Sequence, residues 1–394
     1  EQIDSVIALY SNGQYHEAIE AIKLLNESYP NVPLLFNLIG ACYKALGQLQ
    51  GALKMFETAV KIKPDYAEAH KNFGLSLSEI GQLNDAVKCF ERAIEVDNNY
   101  VDAHYNLAIT FKDLGQFDLA IKSYENALRI NPNFAQAHNN LGNIFKSIGK
   151  NEAAISCYER AININPKFAE AYSNLGNVLK DLNHFEASIQ SYQNAINLNP
   201  NFFEVHNSLG DTFDQLGQTE FAIKYYENAL KINPNLVETY KNIGFNLLKI
   251  GRLKAAKNSL DEALRIEPNS AEIYKYIGYF HKRNKKIGKA LGCFLRAYEL
   301  KPDMDFLLGD ILNATMHLCH WESLEELQNK LIQKIKSNEN AIAPFPLLPL
   351  IDDPELLRKN AEIFVNKVHP KSNILPTIEN HPRHQKIRIG YFSG

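Results

Sequence analysis

Asparagine recurs at one position of a repeated sequence pattern, where its carboxamide could bind another molecule. The five asparagines at this position, called the asparagine column below, are Asn72, Asn106, Asn140, Asn174 and Asn242. Each carboxamide has two donor hydrogens and an acceptor oxygen, so a regular column could hydrogen-bond the backbone of an extended peptide without reading much of its sequence. The same asparagines could equally cap local structure or form solvated surface. The column is interrupted by Leu38, Ser208 and Tyr276.

Charged side chains form two further columns in the same repeated segments. The acidic column contains Glu68, Asp102, Glu170, Glu204, Glu238 and Glu272, and the basic column contains Lys44, Lys112, Lys146, Lys180 and Lys282. Parallel acidic and basic rows could select polar, disordered segments of a partner. Such rows also occur as ordinary solvated helix faces, which is the simpler interpretation.

Histidine also recurs at one position, but the spacing argues against a metal site. The four members of this histidine column are His70, His104, His138 and His206. Neighbouring helices pack about 8 to 10 Å apart, whereas zinc needs its ligands about 2 Å from one ion. Residues 1–338 also lack a glycine-rich phosphate loop, a Cys-x-x-Cys pair and a nucleophile with a positioned base. We therefore expect neither metal, nor cofactor, nor catalysis in this part of the chain.

Composition is typical of a soluble protein that binds neither nucleic acid nor a membrane. The 394 residues are 45% hydrophobic and 22% charged, and the formal net charge is -3. No apolar stretch is long enough to cross a bilayer, and the first residues lack the features of a secretion signal. We expect a cytoplasmic protein.

The elements that must position these columns follow from a period of 34 residues. Proline recurs at Pro30, Pro64, Pro132, Pro166, Pro200, Pro234, Pro268 and Pro302, with Asn98 in the one gap. Glycine recurs in two sets, beginning at Gly40 and Gly13, and small residues recur on a second segment of each period. The first glycine set permits two helices to approach closely, and the second permits a tight turn between them. Proline then ends the second helix, so each period predicts a pair of packed helices.

This pattern resembles the tetratricopeptide repeat. The resemblance implies an all-α fold, a right-handed superhelix whose first helices line the concave surface. We expect residues 1–304 to hold one clipped and eight full repeats. We expect residues 305–338 to form a degenerate repeat that closes the stack, because Leu312, Cys319 and Leu324 replace small residues there.

The period is lost after residue 338, where seven prolines occur. We interpret residues 339–385 as a connector that contains one helix, 354–368, with Asp353 as its N-cap and Pro354 in its first turn. Residues 386–394 alternate like a strand, and we interpret them as the first strand of an α/β domain whose remainder is missing.

The segment LCHWESLEELQNKLIQKI (318–335), the connector and HPRHQKIRIGYFSG (381–394) together resemble the region that joins repeats to the catalytic domain in protein O-linked N-acetylglucosamine transferases and their SPINDLY-like relatives. The resemblance implies a glycosyltransferase that moves a sugar from a UDP-sugar such as UDP-GlcNAc to serine or threonine of acceptor proteins. It also implies that the asparagine column holds these acceptors as extended segments in the concave groove. The family's catalytic residues would lie beyond this chain, so the chain alone is expected to bind polypeptide without turnover.

Other interpretations remain open at this point. The chain could be a stand-alone scaffold for protein–protein interaction, or the arm of an enzyme of different chemistry, such as a methyltransferase or sulfotransferase. The donor sugar could be N-acetylglucosamine or another, such as fucose. A homodimer could form through the convex face.

Overall fold

The fold is entirely helical in the part of the chain that the structure, a computed structural model, describes, which is residues 2–322 and 324–368. These residues form 22 helices and no strand, which confirms the predicted all-α repeat fold. The chain divides into two compact units, Glu1–Ile232 and Asn233–Gly394. The strand expected at 386–394 and the end of the connector lie outside the described residues.

Helices follow one another in pairs in both units. The first unit contains α1 (Gln2–Ser11), α2 (Tyr15–Ser28), α3 (Pro33–Ala45), α4 (Leu49–Ile62), α5 (Ala67–Glu79), α6 (Leu83–Val96), α7 (Val101–Asp113), α8 (Phe117–Ile130), α9 (Ala135–Ser147), α10 (Asn151–Ile164), α11 (Ala169–Asp181), α12 (Phe185–Leu198), α13 (Phe203–Gln215) and α14 (Thr219–Ile232). The second contains α15 (Val237–Lys249), α16 (Leu253–Ile266), α17 (Ala271–Arg283), α18 (Ile287–Leu300), α19 (Leu307–His317), α20 (Leu324–Lys336), α21 (Pro344–Leu347) and α22 (Pro354–Val368). Below, the odd-numbered helices from α3 to α17 are called first helices and the even-numbered helices from α4 to α18 second helices.

The repeated prolines set the ends of the second helices. Helix α4 ends at Ile62, two residues before Pro64, and α8 ends at Ile130, two residues before Pro132. Because proline has no amide hydrogen and disfavours helical geometry in the residue before it, the helix stops there in each repeat. Asn98 follows Val96 in the same way, so an asparagine can replace the proline.

The turn between the two helices of a repeat requires a left-handed residue. Gly149 has a φ of +77°, and Gly251 has the same value. In two repeats the position is taken by Asn183 (φ +61°) and Lys285 (φ +58°), so the turn geometry persists where the sequence lacks glycine. Asparagine adopts this region at little cost, whereas lysine does so at a cost of about 1 kcal/mol.

In every repeat from α3 to α18 but one, a large side chain of the second helix packs against a glycine of the first helix, and in the α7–α8 repeat Ala108 takes the place of the glycine. In α10, Tyr158 is fully buried against Gly142 of α9, and a Cβ added to that glycine would lie 2.7 Å from the tyrosine ring. The Tyr158 hydroxyl donates a 2.7 Å hydrogen bond to Oδ1 of Asn143, which anchors the far end of the ring. Tyr192 makes the same bond to Asn177. The first glycine set is therefore needed for the close helix approach that the sequence predicts.

The segment after α18 closes the second unit with a packing of its own. The chain after α20 returns across the start of α19, where the amides of Phe306 and Gly309 donate to the carbonyl groups of Asn340 and Ala341. A Cβ on Gly309 would lie 2.5 Å from Ile342, so this glycine is required by the returning segment. Leu312 is fully buried in the core that α19, α20 and α22 share, where the earlier repeats have a small residue.

Helix α22 has the bounds expected from the sequence. The Asp353 carboxylate accepts hydrogen bonds from the amides of Glu355 and Leu356, at 3.0 and 3.1 Å, as an N-cap does. The Phe306 and Phe364 rings are in contact, with centroids 5.8 Å apart, so α22 packs against the start of α19.

Candidate functional site

The asparagine column lies on five of the first helices, α5, α7, α9, α11 and α15. Three of its members donate through Nδ2 to a side chain 35 residues earlier, on the preceding first helix. Asn72 bonds Oδ1 of Asn37 at 3.0 Å, Asn140 bonds the Tyr105 hydroxyl at 2.9 Å, and Asn174 bonds Oδ1 of Asn139 at 3.0 Å. We call these three bonds the amide ladder. The period of the sequence indicated the donors of the ladder but not its acceptors, which occupy the repeat position immediately before that of the column.

The ladder fixes the orientation of the carboxamides but leaves part of their hydrogen-bonding capacity unused. Each bond uses one of the two hydrogens on Nδ2, so the second hydrogen keeps its capacity to bind a ligand. The carbonyl oxygen of Asn140 also accepts a long bond of 3.5 Å from Nδ2 of Asn139, and an amide oxygen has a second lone pair for a further bond. The side chains of Asn72, Asn140 and Asn174 are half-buried, so they are accessible from one side. The column is therefore both an inter-repeat contact and a set of oriented polar groups.

Asn106 departs from the ladder for a clear chemical reason. The residue 35 positions earlier is Lys71, whose ammonium group has no acceptor. Asn106 instead donates to the carbonyl oxygen of Asp102 in its own helix, at 2.7 Å. Asn242 occupies the equivalent position on α15 and is half-buried.

An open cleft of about 480 Å³ lies beside the start of the ladder. It is formed mainly by α3 and α5, and Asn37 and Asn72 line it together with Leu38, Lys44 and Glu68. This places one member of each predicted column, amide, acidic and basic, at the same cleft. The first-helix face of this unit is therefore concave and polar at this point.

Three members of the basic column form ion pairs with acids on the next first helix, and these acids lie outside the acidic column. Lys44 pairs with Glu79 at 2.8 Å and Lys146 with Asp181 at 3.4 Å, each on the next first helix. Lys180 lies 3.9 Å from Asp211 in the same manner. Because opposite charges neighbour one another, the net electrostatic potential of this face is smaller than the number of lysines suggests.

Lys241 is the most buried charged side chain of the second unit's first helices. Its ammonium group contacts the carboxylates of Glu238, at 2.5 Å, and Glu272. Burial by itself lowers the pKa of Lys241, but the hydrogen bonds to the two glutamates outweigh it and raise that pKa. The hydrogen bond from Lys241 holds the pKa of Glu272 below its usual value. The same two repeat positions in the first unit hold Asn139 and Glu170, where Nδ2 of Asn139 donates a 3.2 Å hydrogen bond to the carboxylate of Glu170. The Lys241–Glu272 ion pair is the charged equivalent of that bond.

The histidine column has a structural role. Nε2 of His70, His104, His138 and His206 lies 3.0 to 3.1 Å from the carbonyl oxygen six residues earlier, at Pro64, Asn98, Pro132 and Pro200. Each histidine thereby ties its first helix to the loop that enters the repeat. Burial lowers the pKa of His70 and of His138. Among residues 2–322 and 324–368, no group of three or more metal-binding side chains is found.

An aromatic site on α15 and α17 was missed by the sequence analysis. Where Tyr276 replaces asparagine, its ring lies against Phe245, with centroids 5.0 Å apart, and near Tyr279, at 6.3 Å. Two cavities of about 430 and 330 Å³ open beside these rings. The available signal was the change at two positions, because Phe245 and Tyr279 stand where two earlier repeats have Asn143 and Asn177.

Comparison with known proteins identifies the repeats. Family models described as "TPR repeat" match residues 74–115, 110–149, 142–183 and 176–217, and those described as "Tetratricopeptide repeat" match residues 35–66, 203–236 and 237–270. Together these matches cover more than half of the chain.

The individual proteins that resemble the chain share the repeat but little more. Anaphase-promoting complex subunit 3 of Dictyostelium discoideum is 39% identical over 56 residues, which are 14% of this chain and 6% of that protein. The chain thus matches a small fraction of this curated relative.

Solved structures give a similar result. MamA is 27% identical over 41% of this chain and 94% of its own, with a TM-score of 0.39. YrrB, described as a TPR protein with an unusual peptide-binding site, is 22% identical over 46% of this chain and 94% of its own, with a TM-score of 0.42. PilF of Pseudomonas aeruginosa is 21% identical over 56% of this chain and 97% of its own, with a TM-score of 0.47.

No described helix combines the length and the apolar composition that a membrane span requires.

Proposed function

Because the chain belongs to the tetratricopeptide-repeat family, we propose that it is a scaffold that binds extended segments of other proteins along its first helices. Repeats of this family indicate protein–protein interaction. The observation that carries the proposal for this chain is the amide ladder, which holds half-buried carboxamides in fixed orientations on the first helices α5, α9 and α11.

The spacing of the ladder suits an extended backbone. Successive first helices lie about 10 Å apart, and an extended chain rises about 3.3 Å per residue, so two carboxamides on neighbouring first helices, such as Asn140 and Asn174, are spaced by about three residues of a ligand. Carboxamides that contact backbone groups make few contacts with the ligand's side chains and so confer little sequence specificity. The scaffold should therefore accept many sequences, with affinity that grows with the length of the bound segment.

Fixed side chains also reduce the cost of binding. Ordering a free asparagine at an interface costs about 0.5 to 1.5 kcal/mol, and the inter-repeat hydrogen bond has already supplied part of that ordering. Asn106 is also held by a hydrogen bond, but within its own helix, so its orientation does not depend on the neighbouring repeat.

A more specific candidate is the acceptor-recognition arm of a protein O-GlcNAc transferase-like glycosyltransferase. The resemblance of residues 318–335, the connector and residues 381–394 supports it. In that case the bound segments belong to acceptor proteins, and the donor is a UDP-sugar such as UDP-GlcNAc. The catalytic residues would lie outside this chain. The coding sequence beyond Gly394 distinguishes the two candidates, because a nucleotide-sugar-binding domain there favours the glycosyltransferase and a stop codon favours the scaffold. A homodimer through the opposite face is a separate proposal, and sedimentation equilibrium tests it.

The binding proposal is tested with a triple variant, Asn72→Ala, Asn140→Ala and Asn174→Ala, on an array of unstructured peptides. Three lost hydrogen bonds of about 1 kcal/mol each predict binding weaker by at least about tenfold. The matched control replaces Asn126, Asn194 and Asn228, which lie on second helices, by alanine and should bind as the wild type does.

Circular dichroism at the assay temperature must show equal helix content in all three proteins. Unchanged peptide affinity in the ladder variant, or an equal loss in the control, would refute binding through the asparagine column.

A further inference from the structure

Two adjacent cavities in the second unit suggest a more selective subsite on the first-helix face. The larger cavity is lined by residues that include Phe245, Tyr276 and Tyr279, and the smaller by Phe245, Leu248, Lys249, Tyr279, Lys282 and Arg283. Phe245 and Tyr279 border both. The smaller cavity, about 330 Å³, is at the lower end of the range of ligand pockets, about 300 to 1,000 Å³.

The wall that the two cavities share, Phe245 and Tyr279, is aromatic, and Tyr279 is held in place, whereas the rest of the larger cavity is lined mainly by charged side chains, among them Glu272, Lys275 and Asp305. Tyr279 packs edge-on against the fully buried Phe294, with centroids 5.6 Å apart, and its hydroxyl donates a 2.6 Å hydrogen bond to Oδ2 of Asp310. Burial raises the pKa of Tyr279, so the phenol keeps its donor hydrogen at neutral pH. Asp310 occupies, on α19, the position of the asparagine column. Like the ladder, the Tyr279–Asp310 bond joins the column position to the preceding first helix, but here the column residue is the acceptor and its partner lies 31 residues earlier.

The rim of the smaller cavity is basic. Lys282 and Arg283 are exposed at the end of α17, and Lys285, Lys286 and Lys289 follow within six residues. Lys249 also lines this cavity, so three of its six lining residues are basic. Because the whole chain has a net charge of -3, this concentration of positive charge is local.

We propose that this subsite binds an acidic segment of a partner protein that carries one aromatic or large aliphatic side chain. The apolar side chain enters the smaller cavity against Phe245 and Tyr279, while neighbouring carboxylates pair with Lys282 and Arg283. This deepens the proposed function, on which it rests, by giving one part of the face a preference for sequence. Basic residues at a helix end also complement the helix dipole, but that role requires no aromatic cavity beside them.

The test uses the full chain and a fluorescein-labelled peptide with one phenylalanine between two pairs of glutamates. Fluorescence anisotropy should show binding that weakens by roughly tenfold when phenylalanine is replaced by alanine or the glutamates by lysines. Lys282→Glu should weaken binding by roughly tenfold at low ionic strength, because it replaces attraction by repulsion. The matched control Lys254→Glu reverses one exposed charge on α16, which does not line the cavity, and should change affinity less than about twofold.

Phe245→Ala tests the cavity wall separately. It should weaken the binding of the phenylalanine peptide more than the binding of the alanine peptide. The proposal is overturned if Lys282→Glu binds like the wild type, if the lysine peptide binds as well, or if a short RNA duplex or an anionic vesicle binds more tightly than the peptide. If the acidic peptide fails here while the asparagine-column test succeeds, this inference alone falls. If no peptide binds in either assay, the proposed function falls with it.

Discussion

Nδ2 of Asn140 on α9 donates a 2.9 Å hydrogen bond to the hydroxyl of Tyr105 on α7, one repeat earlier. The bond joins two helices that are not neighbours in sequence, and it uses a residue that also faces the solvent side of the repeat. An asparagine at this position therefore contributes to the stacking of repeats as well as to any binding surface. A change of binding after mutation of the column must consequently be separated from a change of stability.

Tyr105→Phe removes the acceptor of this bond and keeps the ring, which contacts Phe134 at a centroid distance of 4.7 Å. We expect a loss of about 1 kcal/mol in the stability of the α7–α9 region, the usual net value of a hydrogen bond. Amide hydrogen exchange of α9 measures it locally, which suits a repeat array. Tyr172→Phe on α11 is the control. An equal loss of stability in that variant would contradict the assignment of the effect to the Asn140–Tyr105 hydrogen bond.

Gly176→Ala should destabilise its repeat by about 1 to 3 kcal/mol, the usual cost of overpacking. The added Cβ would lie 2.6 Å from the buried Tyr192 ring. Ala108, which stands opposite Tyr124 at the same position, indicates that the repeat can adapt to one methyl group.

The control for this prediction is Gly292→Ala in the interior of α18, where an added Cβ meets nothing within 4 Å. There alanine should stabilise the helix by up to about 1 kcal/mol, because it has the higher helix propensity. Urea titration of both variants measures the sign of each change in unfolding free energy. If both substitutions changed the unfolding free energy in the same direction, the first glycine set would not be required for packing.

Glu272→Gln should lower the stability of the second unit by about 1 kcal/mol at pH 7, because buried Lys241 loses a charged acceptor. The pKa of Glu272 is held below its ordinary value in the folded state, so its contribution is present above that ordinary value. It is lost as the pH falls through the folded-state pKa. The difference between wild type and variant should therefore shrink in acid.

Stability measured from pH 7 to pH 3 tests this dependence. Glu204→Gln, at the same repeat position on α13, serves as the control and should show a smaller difference at pH 7. A difference for Glu272→Gln that grows on acidification would contradict the ion pair.

Asp353→Ala should fray the start of α22, since its carboxylate accepts from the amides of Glu355 and Leu356. The expected cost is about 1 kcal/mol. Hydrogen exchange at these two amides should accelerate by up to about fivefold, and Asp352→Ala should leave it unchanged. Equal acceleration in both variants would mean that Asp353 does not cap the helix.

The sequence was sufficient for the local structure because each local rule depends on residues close together in the chain. Proline positions predicted where second helices end, glycine positions predicted the left-handed turns, and Asp353 with Pro354 predicted the start of α22. Even the exceptions at Asn183 and Lys285 follow the period of 34, since the turn is imposed by the helices on either side.

The sequence also indicated which residues share a face, but it could not show what they touch. The asparagine column was visible as a period, and its acceptors Asn37, Tyr105 and Asn139 occupy the preceding repeat position, but that position also holds Lys71, so the spacing alone did not show which members are bonded between repeats. Likewise, nothing in the spacing of lysines and acids indicated that Lys146 would pair with Asp181. The aromatic cavities beside Phe245 and Tyr279 were missed for the same reason.

By itself, then, the sequence determined the helices, their turns and the repeat family, because backbone geometry is set by neighbours within a few residues. The tertiary structure decided whether a polar side chain binds its own helix, as Asn106 does, or the preceding repeat, as Asn140 does. That choice depends on which atoms of another helix come within about 3 Å, a distance set by the stacking of the repeats.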